Sequence, residues 1–184
     1  GLELGIFISL GISVFFIIKT TTYPHVTILG HKPDTNTFTE IAAVDSTVLP
    51  GIIVVRIEDP LYFANIAQIK ALFSRIERLG DPKAHPAVQK SAKMSPTEAI
   101  IIHSRNILTM DASAIQVLHE MIHDYESRGI LVVFVKLRET LIEPFLRAGI
   151  LHGTPETCNR LFPNLTEAVA YVQKQLRSNK IDKD

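Results

Sequence analysis

The sequence predicts an α/β fold: a mixed, largely parallel β-sheet with about four α-helices packed on it, preceded by one apolar helix. A chain of 184 residues with 46% hydrophobic content is long enough for one domain with a sizeable core. Three runs rich in β-branched residues, at 52–57, 99–103 and 130–135, alternate with stretches of helical periodicity. Strands joined by helical crossovers form parallel sheets with right-handed connections.

The first element is the apolar segment of residues 4–18, which carries no charge and is bracketed by Glu3 and Lys19. It is apolar on all sides, which favours a membrane helix over a buried helix of a soluble protein, the alternative interpretation. A secretory signal would have its basic segment before the apolar run, whereas here the basic residue follows it. We therefore expect residues 1–19 to be the C-terminal part of the last transmembrane helix of a longer protein, with residues 20–184 on the cytoplasmic side.

The next elements are two short β-prone runs, at residues 26–29 and 37–41. Between them, residues 33–36 read Pro-Asp-Thr-Asn, a composition typical of a turn. This pattern predicts a hairpin. The run at 52–57 that follows is almost continuously apolar and should be a central strand covered on both faces.

Four helices should pack on this sheet. The first is expected to be capped by Asn65, with Gln68 three residues on, and to end at Gly80. The other three are expected to begin at about Ser113, Thr140 and Asn164.

A proline-containing segment at residues 80–98 separates the first of these helices from the strand at 99–103. We expect a variable loop here. Ser95 precedes Pro96 in this loop and is a candidate regulatory phosphorylation site, the alternative being an ordinary solvated loop.

Charge and cysteine content exclude several classes of function. Lys plus Arg and Asp plus Glu both number 19, so the chain has no overall basic field with which to hold nucleic acid. Cys158 is the single cysteine, which excludes an intrachain disulfide and suits a reducing compartment. We expect no nucleic-acid partner.

One motif points to an enzyme. His119, Glu120 and His123 match the HExxH signature of zinc hydrolases, with Glu143 as a conceivable third ligand. However, the helical phase places both histidines about 100° to 140° from the centre of the buried face, so they should point largely to solvent. We therefore expect no catalytic residue, no metal and no cofactor. His103, at a strand end, should be partly buried with its hydrogen bonds satisfied.

The candidate site is the loop before the second helix, formed by Thr109, Met110, Asp111, Ala112 and Ser113. A helix N-terminus presents unpaired amides and the positive end of the helix dipole, so this loop suits an anion or a partner. In the alternative interpretation Asp111 only caps the helix or holds the loop. Ser113, with Gln116 three residues on, fits a capping box and is expected to be the N-cap.

This loop resembles a known family. The sequence Asp111-Ala112-Ser113-Ala114, followed by Leu118, is similar to the Asp-Ser-Ser-Gly loop of STAS domains, which occur in anti-sigma factor antagonists and at the C-termini of sulfate permease type anion transporters. Ala112 stands where the antagonists have a phosphorylatable serine, so phosphorylation at this position is excluded. The resemblance extends further along the chain. The apolar run and residues 24–30 are similar to the last membrane helix and the exit strand of those permeases. Residues 50–56 and 60–65 are similar to their first central strand and the turn that follows it.

The resemblance implies a C-terminal cytosolic regulatory and interaction domain of a sulfate permease (SulP) type anion transporter, which supports transport, trafficking and assembly without catalysis. Its implied partners are the transmembrane transport domain of the same or a neighbouring subunit, a second copy in a homodimer, regulatory proteins, and the membrane through residues 1–19. The alternatives are a free-standing STAS-like interaction module and, more remotely, an HExxH zinc hydrolase.

Overall fold

The computed structural model describes residues 1–22, 24–32, 37–40, 49–79, 96–153 and 157–181. The helices found there are α1 (Leu2–Thr22), α2 (Phe63–Leu79), α3 (Ala112–Ser127), α4 (Glu139–Arg147) and α5 (Leu165–Ile181). The strands are β1 (Val26–Lys32), β2 (Thr37–Glu40), β3 (Ile52–Ile57), β4 (Ala99–His103), β5 (Leu131–Val135) and β6 (Leu161–Phe162). The predicted turn at 33–36, the helix end at Gly80, and Ser95 with most of its loop lie outside the described residues.

The six strands form one mixed sheet in the order β2-β1-β3-β4-β5-β6. Strands β3 to β6 are parallel, whereas β1 is antiparallel to both β2 and β3. The expected largely parallel sheet and the expected hairpin between β1 and β2 are therefore confirmed. Strand β6 was not predicted, because a two-residue Leu-Phe pair carries no periodicity of its own.

The core lies on both faces of the sheet. Helices α2, α3 and α4 cover one face and α5 covers the other, so successive residues of each central strand are buried in opposite directions. This burial on two sides explains the nearly continuous apolar runs of the central strands. The strand residues facing α2, α3 and α4 are Val55, Ile57, Ile100, Ile102, Val132 and Phe134, and those facing α5 include Ile52, Val54, Ala99, Ile101, Val133 and Val135.

The start of α2 differs from the sequence prediction. The helix begins at Phe63, so Asn65 lies inside its first turn, where it is only 3% exposed. The Asn65 side chain accepts a hydrogen bond from the backbone amide of Tyr62 (2.9 Å) and donates one to the carbonyl of Pro60 (2.9 Å). The prediction that Asn65 is the N-cap was wrong; its amide instead holds the turn that leads from β3 into the helix.

The predicted starts of the last two helices agree with the structure. The Asn164 side chain accepts a hydrogen bond from the Glu167 amide (3.1 Å) and donates one to the Glu167 carboxylate (2.7 Å), so it caps α5 as expected. Helix α4 begins at Glu139, one residue before the predicted position.

Helices α2 and α3 are tied together near their C-terminal ends by Arg128. Its guanidinium binds both carboxylate oxygens of Glu77 (2.6 and 3.3 Å) and lies 3.2 Å from Asp124. It also stacks 4.8 Å from the centre of the Tyr125 ring. Burial, reinforced by the nearby Glu77 carboxylate, raises the pKa of Tyr125 to about 12.

Helix α1 projects from the domain. No residue of Leu2–Lys19 is buried, and this segment is long and apolar enough to cross a membrane. Three residues connect α1 to β1. The last of them, His25, donates its backbone amide to Asp59 Oδ2 (2.7 Å) and has its ring Nδ1 3.0 Å from the same oxygen. Asp59 follows β3, so α1 leaves the domain where the parallel strands end. We call this side of the sheet the carboxyl edge.

Removing residues 1–20 should leave a folded domain that is soluble without detergent, because residues 2–19 of α1 contribute no buried side chain to the core. Size-exclusion chromatography and thermal unfolding followed by circular dichroism check this expectation. Aggregation of the shortened chain, with a full-length chain that stays monomeric without detergent, would show that α1 belongs to the core.

Candidate functional site

The predicted loop at residues 109–113 lies at the carboxyl edge, between β4 and α3. It is joined there to the β3–α2 connection by a short parallel bridge between Leu61 and Met110. The Leu61 amide donates to the Thr109 carbonyl (3.1 Å), and the Asp111 amide donates to the Leu61 carbonyl (3.3 Å). Two strand–helix connections that are distant in sequence thus form one continuous surface.

Asp111 fixes this surface with both oxygens of its carboxylate. It is the N-cap of α3: Oδ1 accepts a hydrogen bond from the Ala114 amide (2.7 Å). Oδ2 accepts one from the amide of Phe63, the first residue of α2 (2.8 Å). A negative charge at two helix N-termini is favourable, because each terminus has unpaired amides and a positive dipole end. One side chain therefore holds the starts of two helices together.

Ser113 does not cap the helix as predicted. It lies exposed within the first turn of α3, while the Gln116 side chain is 3.4 Å from Glu120. Asp111, two residues earlier, occupies the cap position that the capping-box pattern assigned to Ser113. The alternative interpretation, in which Asp111 caps the helix and holds the loop, agrees with the structure.

The remaining loop residues differ in their solvent exposure. Thr109 is exposed, with its hydroxyl 3.0 Å from that of Tyr62, and Met110 is half-buried. Ala112 and Ser113 are exposed. Because the Asp111 carboxylate already occupies the N-terminus of α3, a second anion there would meet a like charge. The geometry favours a partner surface over an anion site.

Sequence reasoning missed the apolar part of this surface. Outside α1, the large hydrophobic side chains exposed in the described part of the chain are Tyr62 (38%), Phe63 (76%) and Leu108 (50%). All three lie in the two connections at the carboxyl edge. Exposed apolar side chains grouped in this way are typical of contact surfaces. No local pattern reveals the group, because the fold alone brings residues 62 and 63 beside residue 108.

His103 lies at the same edge, at the end of β4, and pairs in register with Arg56 and Val135. It is half-buried as expected, but its Nδ1 atom is buried without a hydrogen-bond partner in the described structure, so the expectation that its hydrogen bonds are satisfied was wrong. Burial lowers the pKa of His103, and the positive charges of Lys136, Arg56 and Arg105 lower it further.

The HExxH residues do not assemble a metal site with other described residues. His123 is exposed as predicted, whereas His119 is half-buried, and their rings stack with centroids 6.4 Å apart. Glu143 is exposed on α4 and forms an ion pair with Arg147. Among the residues that the structure describes, no three His, Cys, Asp or Glu side chains are grouped to hold a metal ion.

Comparison with known proteins points to one family. A family model described as the STAS domain matches residues 43–168. The chain is 29% identical over 152 residues to "Probable sulfate transporter 4.2" of Arabidopsis thaliana, which covers 82% of this chain but 22% of that protein. It is also 29% identical over 170 residues to "Low affinity sulfate transporter 3" of Stylosanthes hamata, covering 91% of this chain and 26% of that protein. The chain thus spans about a quarter of the length of these relatives.

Solved structures share the fold. The murine Solute Carrier 26 family member A9 anion transporter, in its inward-facing state, matches 95% of this chain and 26% of its own, with a TM-score of 0.68 and 18% identity. A sulfate transporter family protein from Wolinella succinogenes matches 76% of this chain and 99% of its own, with a TM-score of 0.51 and 18% identity.

Replacing Asp111 by alanine should lower the free energy of unfolding by about 2 kcal/mol, since two helix amides lose their acceptor. Asp111→Asn keeps one acceptor oxygen and should lose less. Ser113→Ala is the matched control and should be nearly neutral, because Ser113 is exposed and not the cap. Urea unfolding of the three variants provides the measurement, and equal losses for Asp111→Ala and Ser113→Ala would contradict the assignment of the cap.

His103 should make the folded domain less stable in mild acid. Its pKa is lowered from the ordinary value of 6.5 in the folded state, so the unfolded chain binds the proton more readily. The contribution to stability is complete above about pH 6.5 and is lost as the pH falls below that value. The thermal midpoint should therefore drop more between about pH 7 and pH 5 in the native sequence than in His103→Gln. An identical pH dependence of the two proteins would refute this role.

Proposed function

The chain belongs to the STAS domain family, and on that premise we propose that it is the C-terminal cytosolic regulatory domain of a sulfate permease (SulP) type anion transporter, together with the end of that transporter's last membrane helix. The sequence relatives that support this are named sulfate transporters. They are matched over most of this chain but over about a quarter of their own length. The parts of such a transporter that would carry the anion lie outside the matched region.

The observation that carries the proposal is the continuity of the apolar helix with the domain. The fold match to the murine anion transporter leaves about nine residues of this chain unmatched, fewer than the 21 residues of α1. The shared fold therefore extends into α1. The helix is exposed, apolar and long enough to cross a membrane, and three residues join it to the domain. These properties suit a membrane anchor.

The domain acts in this proposal through contact and not through chemistry. Both oxygens of Asp111 are occupied by backbone amides, and Ala112 offers no hydroxyl for phosphorylation. What the loop presents is Thr109, Ala112 and Ser113 beside an apolar group. Its partner is the transport domain of the same or a neighbouring subunit, and contact supports transport, trafficking and assembly. A homodimer and further regulatory proteins, with Ser95 as a phosphorylation site, remain predictions.

A free-standing interaction module is the second candidate. The observation that favours it is that the STAS family model matches residues 43–168 and does not include the apolar helix. The sequence encoded upstream of Gly1 discriminates between the two. About a dozen further apolar spans there would support the transporter, and a start codon close to Gly1 would support the free-standing module.

The docking role of the loop is tested at Ala112 in the intact transporter. Ala112→Glu and the bulky Ala112→Trp should reduce anion flux or surface delivery while leaving the thermal midpoint of the domain unchanged, because Ala112 is exposed and a carboxylate is tolerated at a helix N-terminus. Gln173→Glu and Gln173→Trp, at an exposed position in the interior of α5, are the matched controls. Normal flux and normal delivery for both folded Ala112 variants would mean that the loop is only a helix cap.

A further inference from the structure

The junction between α1 and the domain is held by one acidic side chain, Asp59. Two contacts from His25 converge on its Oδ2 atom. The backbone amide of His25 donates a hydrogen bond over 2.7 Å, and the ring Nδ1 lies 3.0 Å away and donates when it carries the proton. The carbonyl of His25 accepts a third bond from the Glu58 amide (3.0 Å). His25 is thus bound to the residues after β3 by its amide, its ring and its carbonyl.

The Asp59 carboxylate takes the place of a backbone acceptor in the pairing of β1 with β3. Val26 lies opposite Ile57 in the antiparallel register, so His25 lies opposite Glu58. In a hydrogen-bonded pair of an antiparallel ladder, each residue donates to the other. Here Glu58 donates to His25, whereas the His25 amide donates to the Asp59 carboxylate. The side chain therefore extends the hold of the sheet on the chain by one residue toward α1.

This contact leaves little free chain between α1 and the domain. Two residues separate His25 from Thr22, the last residue of α1, and one of the two is Pro24, whose ring fixes its φ angle. Packing adds little, because no residue of Leu2–Lys19 is buried even though α1 approaches α2. The direction in which α1 leaves the domain therefore depends on the bonds that His25 makes.

A short hydrogen-bonded path connects the same contact to the Asp111 loop. After Asp59 comes Pro60, whose carbonyl accepts a hydrogen bond from the buried side chain of Asn65 (2.9 Å). Leu61 follows and is joined to the loop through its backbone amide and carbonyl (3.1 and 3.3 Å). Only Pro60 separates the residue that holds α1 from the residue that is bonded to the loop.

We propose that Asp59 is a positioning residue: its contact with His25, which we call the clasp, fixes the direction of α1 and thereby the position of the Asp111 loop relative to α1. This inference rests on the proposed function, in which α1 is a membrane helix and the loop meets the transport domain. The clasp then sets the angle at which the loop faces that domain. Without it the domain swings about its connection to α1, since three residues of extended chain reach up to about 10 Å.

Distances between spin labels test the clasp. Labels at Val14→Cys in α1 and Ser113→Cys in the loop, both exposed positions, report where the loop lies relative to α1. Cys158→Ala removes the single native cysteine, which is buried, so that only these two labels are present. The full chain is placed in nanodiscs that each hold one copy, and the distance distribution is measured by double electron–electron resonance.

We expect a narrow distribution with Asp59 in place, and a broadening by several ångströms, up to about 10 Å, in Asp59→Ala. Asp59→Asn keeps one acceptor oxygen for the His25 amide and should broaden the distribution less. Glu143→Ala, which removes an exposed carboxylate from α4, is the matched control and should leave the distribution unchanged. Equal broadening in Asp59→Ala and Glu143→Ala would overturn a specific role for Asp59.

A second pair of labels, at Ser113→Cys and Gln173→Cys, lies wholly within the domain and shows whether Asp59→Ala disturbs the fold. The distance distribution of this pair should not change. If it broadens together with that of the first pair, Asp59 stabilises the domain and not the junction, and the clasp is overturned.

Resistance of the unlabelled chain to carbonate extraction tests the membrane assignment separately. A chain that resists extraction but has equal widths for the first pair of labels with Asp59 and with Asp59→Ala overturns the clasp and leaves the proposed function intact. A chain that carbonate releases overturns the membrane helix. The same distances, measured in solution, then still decide whether Asp59 holds α1.

Discussion

The carboxylate of Asp111 is the interaction on which the carboxyl edge depends. Its two oxygens accept amides from the first turns of α2 and α3, which start 49 residues apart in the chain. At their other ends the same two helices are tied by Arg128 and Glu77. The pair is thus fixed at both ends over one face of the sheet. The exposed residues Ala112 and Ser113, in the first turn of α3, are thereby held in a defined position on its surface.

The central part of the fold could be predicted because its signals are local. The strands β3, β4 and β5 are covered on both sides, and the resulting β-branched runs are visible in the sequence. Asn164 likewise makes its capping bonds within three residues. The cap predicted at Ser113 was wrong by two residues within a local motif, because the Ala114 amide donates to Asp111. The cap predicted at Asn65 was wrong for the opposite reason. The amide of Phe63 is satisfied by Asp111, 48 residues away, and no window of the sequence contains both partners.

The candidate site shows the same difference between features that are local in the sequence and features that depend on the fold. The resemblance located the loop, but it did not separate the residue that holds the loop from those that face outward. The structure separates them: Asp111 is engaged with backbone amides, whereas Ala112 and Ser113 are exposed. The apolar group of Tyr62, Phe63 and Leu108 could not be predicted from the sequence. The Leu61–Met110 bridge joins the connection that holds Tyr62 and Phe63 to the connection that holds Leu108. In the proposed function, the exposed residues Ala112 and Ser113 make the contact, and Asp111 holds the loop in place.

Amide hydrogen exchange at Phe63 and Ala114 tests most directly whether one carboxylate holds both helices. The account predicts that both amides are protected in the native sequence, and that both lose protection together in Asp111→Ala, although one of them belongs to a helix distant in sequence. It also predicts that amides in the middle of α2 keep their protection. Loss of protection at Ala114 alone, with Phe63 unchanged, would show that Asp111 caps a single helix and would contradict the account.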